Sequence, residues 1–399
     1  MKKELVKLSE LFEIGSGGTP LRKNNAYYEN GNIPWIKTGD LKTTYINNAS
    51  EFITELGLKE SSAKLFPNGT VLIAMYGATI GNCSILGIDA ATNQACAAFR
   101  PTENVLPEYL YYYLISIKEK LISLGVGGAQ PNISLNILKQ IELPLIPFEE
   151  QQKIVATLNK SQELIKDRQS QIKALDELSQ SVFLEFFGDP LKNTMEWEIK
   201  PCKEITKKIG SGATPKGGNA SYKDSGISLI RSMNVHNNKF IFKNLAYIDE
   251  EQAAKLSSVE VFKNDILLNI TGASVARSCI VPDQILPARV NQHVAIIRPD
   301  NEKVEDIFLS NLFTNTVYQK YLLNIATSGG ATREAITKQQ IEKMPIILPP
   351  LSIQNDFKIT INRIESQKVF LHASLKELEK LYKSLIQKAF KSELLQEQS

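Results

Sequence analysis

The chain has 399 residues, 43% of them apolar and 22% charged, with 46 Lys and Arg set against 43 Asp and Glu for a formal net charge of +3. That length predicts two or three domains, each able to bury its own core, and the apolar fraction excludes a disordered, collagen-like or wholly coiled-coil chain. Four cysteines (Cys83, Cys96, Cys202, Cys279) form no Cys-x-x-Cys and no tight cluster, so a disulfide framework and metal-finger spacing both fail and a reducing, cytoplasmic setting is expected.

The opening Met1-Lys-Lys-Glu-Leu-Val-Lys-Leu has lysines but no apolar segment behind them, which is not the pattern of a secretory signal. The longest uncharged stretch, Leu65 to Ile88, is broken by Pro67, Gly69, Gly77, Gly81 and Gly87, and reads as buried strands and turns, not a membrane span.

In chain order, the elements come twice, at an offset of roughly 195 to 203 residues. Ile14-Gly-Ser-Gly-Gly-Thr-Pro20 returns as Ile209-Gly-Ser-Gly-Ala-Thr-Pro215, and Ile33-Pro-Trp-Ile-Lys-Thr-Gly-Asp40 returns more weakly as Ile227-Ser-Leu-Ile-Arg-Ser-Met-Asn234. Phe66-Pro-Asn-Gly, a strand and Gly77 match Phe262-Lys-Asn-Asp, a strand and Gly272. Asn93-Gln94 and Arg100-Pro101 match Asn291-Gln292 and Arg298-Pro299. Gly127-Gly128-Ala129 matches Gly329-Gly330-Ala331; Ile141-Glu142, Pro144 and Pro147 match Ile341-Glu342, Pro345 and Pro349. Each copy carries short β-rich runs such as Val71–Tyr76 and Ile266–Ile270, then a helical stretch near Pro107–Leu124 and Val304–Asn324.

Each copy closes on a ladder of apolar residues spaced by three and four. Ile154, Leu158, Ile165, Ile172, Leu175, Val182 and Phe186 form the first. Phe357, Ile361, Ile364, Leu371, Leu375, Leu378, Tyr382 and Leu385 form the second. The ladders predict helices of some 35 to 40 residues, packing on each other as an antiparallel coiled coil. The predicted fold class is α+β: two tandem mixed α/β domains, each followed by a long helix, related by pseudo-twofold symmetry. The boundaries are a first domain over 1–148, a central helix over 149–189, a second domain over 190–350 and a distal helix over 351–399.

A catalytic centre is not legible. All three histidines (His236, His293, His372) fall in the second half, so no duplicated site uses them. The Gly-Ser-Gly-Gly-Thr-Pro segments lack the Gly-Lys-Ser/Thr of a phosphate loop and read as tight turns in which glycine supplies a positive φ. Asp40-Leu-Lys42 is the nearest approach to a nuclease element, yet its counterpart is Asn234-Val-His236, so Asp40 reads as a loop or capping residue. No metal, catalytic residue or cofactor of its own is assigned. Two similar, non-identical domains at a fixed separation suit a DNA site whose halves recur along the duplex.

In this order, twice, the residues resemble the specificity subunit of type I restriction–modification systems. The resemblance spans nearly the whole chain. It rests on the two glycine-rich openings, on Trp35 to Leu41, and on the Gly-Gly-Ala near each domain's end. Ile146 to Gln152, leading into the first long helix, Leu184 to Pro190, and Gln387 to Leu394 complete it. The second copy departs from Trp35-Ile-Lys-Thr-Gly-Asp40 at Leu229 and Met233-Asn234. The family implies a non-enzymatic subunit with two target-recognition domains, each reading one half of a bipartite double-stranded DNA site, and a coiled coil that sets the spacer. It also implies partners: two methyltransferase subunits using S-adenosylmethionine, and restriction subunits that translocate and cleave with ATP. A stand-alone recognition half of a nuclease-methyltransferase, and a structural adaptor spacing two protein partners, are the alternatives.

Base readout calls for polar and basic residues where the copies diverge. Lys37, Lys42, Tyr76, Gln130 and Asn132 are the DNA-binding candidates of the first domain; Arg231, Asn234, His236, Lys239, Arg277, Arg289 and Arg333 are those of the second. Arg100 and Arg298, shared by both copies, read as structural or phosphate-contacting. Leu164, Leu178, Phe183, Phe187, Ile386 and Phe390, apolar beyond what two helices need, are candidates for a partner's helices. The near-neutral charge implies that much phosphate neutralisation comes from partners, and that the isolated chain binds DNA weakly.

Overall fold

The computed structural model describes residues 4–125, 132–215, 217–327 and 334–390. The chain divides into two units: residues 1–169 with 373–399, and residues 170–372. Among the described residues no helix is long and apolar enough to cross a membrane.

In the first unit a five-stranded sheet runs in the order Ile14–Ser16, Cys96–Phe99, Val71–Ala74, Cys83–Leu86, Tyr45–Ile46. Its three central strands are buried at every position, as expected of continuous apolar runs with both faces covered. Alternate residues serve different layers. Val71, Ile73, Ile85, Ala97 and Phe99 face helices Pro107–Ser116 and Lys118–Leu124. Leu72, Ala74, Leu86, Cys96 and Ala98 pack with Ile36, Phe66 and Ala90 of a second sheet. That sheet runs Glu51–Ile53, Ile33–Ile36, Ala90–Thr92, Leu65–Phe66. Its one parallel pair joins Trp35 to Ala91.

The second unit repeats this order strand for strand. Thr206–Ser211, Val294–Pro299, Ile266–Asn269 and Ser278–Ile280 form one sheet; Ala246–Ile248, Ile227–Ile230, Ala288–Val290 and Glu260–Val261 form the other. The parallel pair recurs between Leu229 and Arg289. Where the first unit adds Tyr45–Ile46 at its sheet edge, the second adds a hairpin, Val235–His236 with Lys239–Phe240. In both, the opening strand pairs with the strand just before the long helix: Glu4–Lys7 with Glu142–Leu145, and Glu198–Pro201 with Pro345–Leu348.

The glycine-rich openings serve a different purpose from the expected one. Gly15, Gly17, Gly18, Gly210 and Gly212 are absent from the positive-φ residues. Instead, a side-chain carbon on Gly17 would collide with the Thr92 carbonyl, and one on Gly212 with that of Val290. Glycine is needed there for close approach of two main chains. The next residues then lock on: the Thr19 hydroxyl donates to Gln94 Oε1, and Thr214 does the same to Gln292.

Both long helices span 40 residues, Phe148–Phe187 and Leu351–Phe390. One fully buried glutamine fixes the start of each. Gln151 accepts from the Leu106 N–H (2.9 Å) and donates to Asn104 O (2.9 Å) and Ile146 O (3.0 Å). Gln354 accepts from the Glu305 N–H (2.8 Å) and donates to Pro349 O (2.7 Å). Within the first unit, Gln162 donates to the Tyr382 hydroxyl (2.7 Å), and Ile154 and Leu158 share a core with Ile386 and Ala389. Within the second, Lys368 pairs with Asp176 (2.7 Å) while Phe357 lies 4.9 Å from Phe187, so the two helix segments run antiparallel there.

Replacing either glutamine strands buried main-chain groups that nothing else can satisfy. Gln151→Leu and Gln354→Leu are each expected to lower stability by about 2–3 kcal/mol in urea unfolding. Gln152→Leu, at an exposed neighbour, serves as the near-neutral comparison.

Candidate nucleic-acid interface

In each unit the copies differ in polar character at the turn that follows the central parallel-paired strand. In the first unit this is Thr38–Asp40, in the second Ser232–Asn234. The Lys37 N–H donates to Asp40 Oδ2 (2.9 Å), and the Arg231 N–H donates to Asn234 Oδ1 (3.1 Å). The turn is therefore equivalent in both copies despite the missing tryptophan and glycine-aspartate. Asp40 has the capping role expected of it.

Two further segments join each turn. In the first unit Asn82 donates to Leu41 O (3.5 Å), tying in the loop that begins at Tyr76, and the Ile133 N–H donates to Met75 O (2.8 Å), bringing Asn132 alongside. In the second, fully buried Asn269 donates to Ser232 O (2.9 Å) and Val235 O (3.3 Å), while its N–H donates to Arg277 O (2.8 Å). The Ile336 N–H donates to Ile270 O (2.8 Å), and Gly272 donates to Glu334 O (3.0 Å). His293 lies beneath, its Nδ1 2.6 Å from the Thr271 hydroxyl.

This arrangement sorts the expected DNA-binding residues. Lys42, Asn132 and Lys239 are exposed; Tyr76, His236 and Arg277 are half-buried at the same rim. Lys37 is half-exposed, its ammonium bonded to Glu51. Arg231 stacks on Tyr222 (5.3 Å) and donates to Asn244 O, which ties down part of its fork. Two candidates are corrected. Asn234 is fully buried, its carboxamide spent on Arg231 N–H and on Ile241 O (2.8 Å). Arg289 is 7% exposed and donates to Ala253 O (3.2 Å) and Ala288 O (2.9 Å), with Glu260 at 3.3 Å. Neither is free to reach a groove. Gln130 and Arg333 lie outside the described residues.

Arg100 and Arg298 are parts of the scaffold. Arg298 makes a bidentate pair with buried Asp265 (2.7 and 2.8 Å) and stacks on Phe262 at 4.0 Å. Arg100 stacks on Phe66 at 5.2 Å and donates to Leu65 O (3.1 Å).

The expected partner surface divides as well. Leu164 and Leu178 remain 44% exposed. Phe183, Phe187 and Ile386 do not: the first two close the second unit's core against Phe308 and Phe357, and Ile386 lies in the first unit's core. Phe390 packs on Tyr109 (5.2 Å) and Tyr113 (5.4 Å). The helix apolar residues that do reach solvent include Val369 and Phe370, both 70% exposed and both off the ladder used to find the helix. Their adjacency is the signal that could have flagged them, since neighbours in sequence cannot both face one helix seam.

A duplicated three-layer scaffold thus carries a divergent polar rim on each copy. The chain belongs to the type I restriction modification DNA specificity domain family, whose model matches residues 2–174 and 194–380. It is a specificity subunit, not a catalytic one.

Its relatives include the type I restriction enzyme MjaIX specificity subunit of Methanocaldococcus jannaschii, 28% identical, covering 98% of this chain and 93% of that protein. The EcoR124I/EcoR124II specificity subunit of Escherichia coli is 31% identical over 163 residues, 39% of this chain and 40% of that one. Among solved structures, the S subunit from M. genitalium covers 98% of this chain and 96% of its own, at 15% identity and a TM-score of 0.54. A chain solved in work on complex assembly and conformational transition of the type I R-M system covers 99% and 100%, at 18% identity and 0.64.

Burial pushes the thiols of Cys83, Cys96, Cys202 and Cys279 up to about 12, so none is a thiolate at neutral pH. The folded chain is expected to resist iodoacetamide at pH 8 and to take up four labels once unfolded in guanidinium, as read by intact mass. Labelling of the folded chain at an unfolded-like rate would contradict this burial.

Proposed function

We propose that the chain reads a bipartite double-stranded DNA site, one recognition domain per half-site, and docks the methyltransferase and restriction subunits that act on it in the cytoplasm. The observation that carries this reading is the paired rim: one scaffold, built twice, bringing the same three segments together with different side chains. Lys42, Tyr76 and Asn132 serve the first half-site; His236, Lys239 and Arg277 serve the second, with Lys37 and Arg231 at the root of each turn. Gln130 and Arg333, beside Asn132 and Glu334 in sequence, belong to the same proposed set.

The long helices pair along their length as an antiparallel coiled coil and set the spacer between half-sites. Leu164, Leu178 and the half-buried Phe390 are the proposed contacts for the helices of the methyltransferase subunits, two of them by the pseudo-symmetry of the design. Cofactor chemistry, with S-adenosylmethionine and ATP, rests with those partners. The formal charge of +3 supports shared binding: a duplex covered by one nearly neutral chain would keep most of its counterions.

The test is methylome sequencing of a host carrying the methyltransferase subunit, with and without this chain. One bipartite motif, present only with the chain, is expected; unchanged methylation would refute the reading. Taken as a phosphate contact beside the first half-site, Lys42 is tested by Lys42→Ala, which is expected to weaken binding by the assembled complex without altering the motif and to reduce the slope of log affinity against log salt by about one.

A further inference from the structure

Arg22 lies on the segment that follows Pro20, and nothing in its sequence neighbourhood marks it out. In the structure its guanidinium sits 4.8 Å from the ring centroid of Tyr28 and 4.8 Å from that of Trp35. Its Nη1 lies 2.7 Å from Glu51 Oε2, yet 51% of the side chain stays exposed. The seat beneath it is fixed. Trp35 is 1% exposed and donates through Nε1 to Gly18 O (3.1 Å), and the Tyr28 hydroxyl donates to Pro20 O (2.5 Å). Glu51 also bonds Lys37, which roots the turn leading to Lys42. Beside the guanidinium opens a cleft of about 390 Å³, lined by Tyr28, Asn30, Ser50 and Phe52.

Two readings compete for such an arginine: a phosphate contact and a base contact. A phosphate is drawn most strongly to cations with no carboxylate among them, and here the Glu51 carboxylate sits between two cations and cancels half of their charge. The Lys37 ammonium and, against the cost of desolvation, the Arg22 guanidinium hold the Glu51 carboxyl below its ordinary range, so it stays ionised and repels a phosphate. A base edge carries only partial charge but demands orientation. A planar fork already stacked on two rings gives that at little entropic cost. In the major groove the matching surface is the O6 and N7 of guanine.

Resting on the function proposed above, we propose that Arg22 reads a guanine in the half-site of the first domain, and that Glu51 is the residue that positions it. The second unit is built differently at this place. Its Thr214-Pro215 is followed by Lys216-Gly217-Gly218, and the cation over its tyrosine, Tyr222, is Arg231. The two halves therefore present stacked guanidiniums from different loops, as two readers of unlike sequences require.

The test compares methylomes of hosts carrying the methyltransferase subunit with the wild-type chain, Arg22→Lys or Glu51→Gln. Lysine keeps the charge and the ring contact but loses the fork, so folding is retained and readout alone is altered. For Arg22→Lys, one guanine position in one half of the motif is expected to become degenerate, its discrimination falling about tenfold or more, with the other half unchanged. Glu51→Gln is expected to relax the same position more weakly. A motif identical to wild type, or a uniform loss at every site, overturns the assignment while leaving the bipartite reading intact. A wild-type methylome without any bipartite motif overturns both.

Discussion

Each unit completes its core with the end of a long helix packed on residues distant from it in sequence, and the rest of the structure follows from that closure. The first unit buries Ile386 and Ala389 of the distal helix beside Leu110, Tyr112 and Leu143. The second buries Phe183 and Phe187 of the central helix beside Phe308 and Phe357. The first core joins two separate stretches of chain, whereas the second lies within the single stretch 170–372. Truncating a buried phenylalanine of this kind costs about 3–5 kcal/mol, so the helix ends are structural before they are anything else. Long-range closure also makes folding depend on contacts between distant segments, which raises contact order and slows the search.

Closure explains why the helices were legible in the sequence while their partner surface was not. A ladder spaced by three and four depends only on the helical period, and both 40-residue helices obey it. Apolar residues beyond the ladder read, from sequence, as the face for an external partner. Periodicity says that a face is buried; it does not say against what. Phe183, Phe187 and Ile386 pack on sheets and helices of their own unit, information that lives in tertiary structure alone. Leu164 and Leu178, on the central helix, stay 44% exposed.

The rim shows the same division. The repeated motifs mark scaffold: Gly17 and Gly212 let main chains meet, Gln94 and Gln292 hold the threonines behind them, and Arg100 and Arg298 stack on Phe66 and Phe262. Composition alone does not separate positive φ from close approach at those glycines, since glycine serves either purpose and only its neighbours distinguish them. Divergence between copies picks out this turn and loop. It could not separate Lys42, which faces solvent, from Asn234, which is buried in the turn it caps.

Arg22 is the instructive omission, because its significance comes from partners at positions 28, 35 and 51 that no spacing rule connects. It also recasts the weak net charge. A reader built on unpaired cations would bind any duplex tightly and lose discrimination to the non-specific background. Placing Glu51 between Arg22 and Lys37 removes part of that background attraction while keeping the donors in place, and under the proposed role of Arg22 the binding that remains depends on the base presented. On the proposed reading, near neutrality is a property that recognition uses: affinity is left to the assembled complex, and the subunit contributes the difference between one sequence and another.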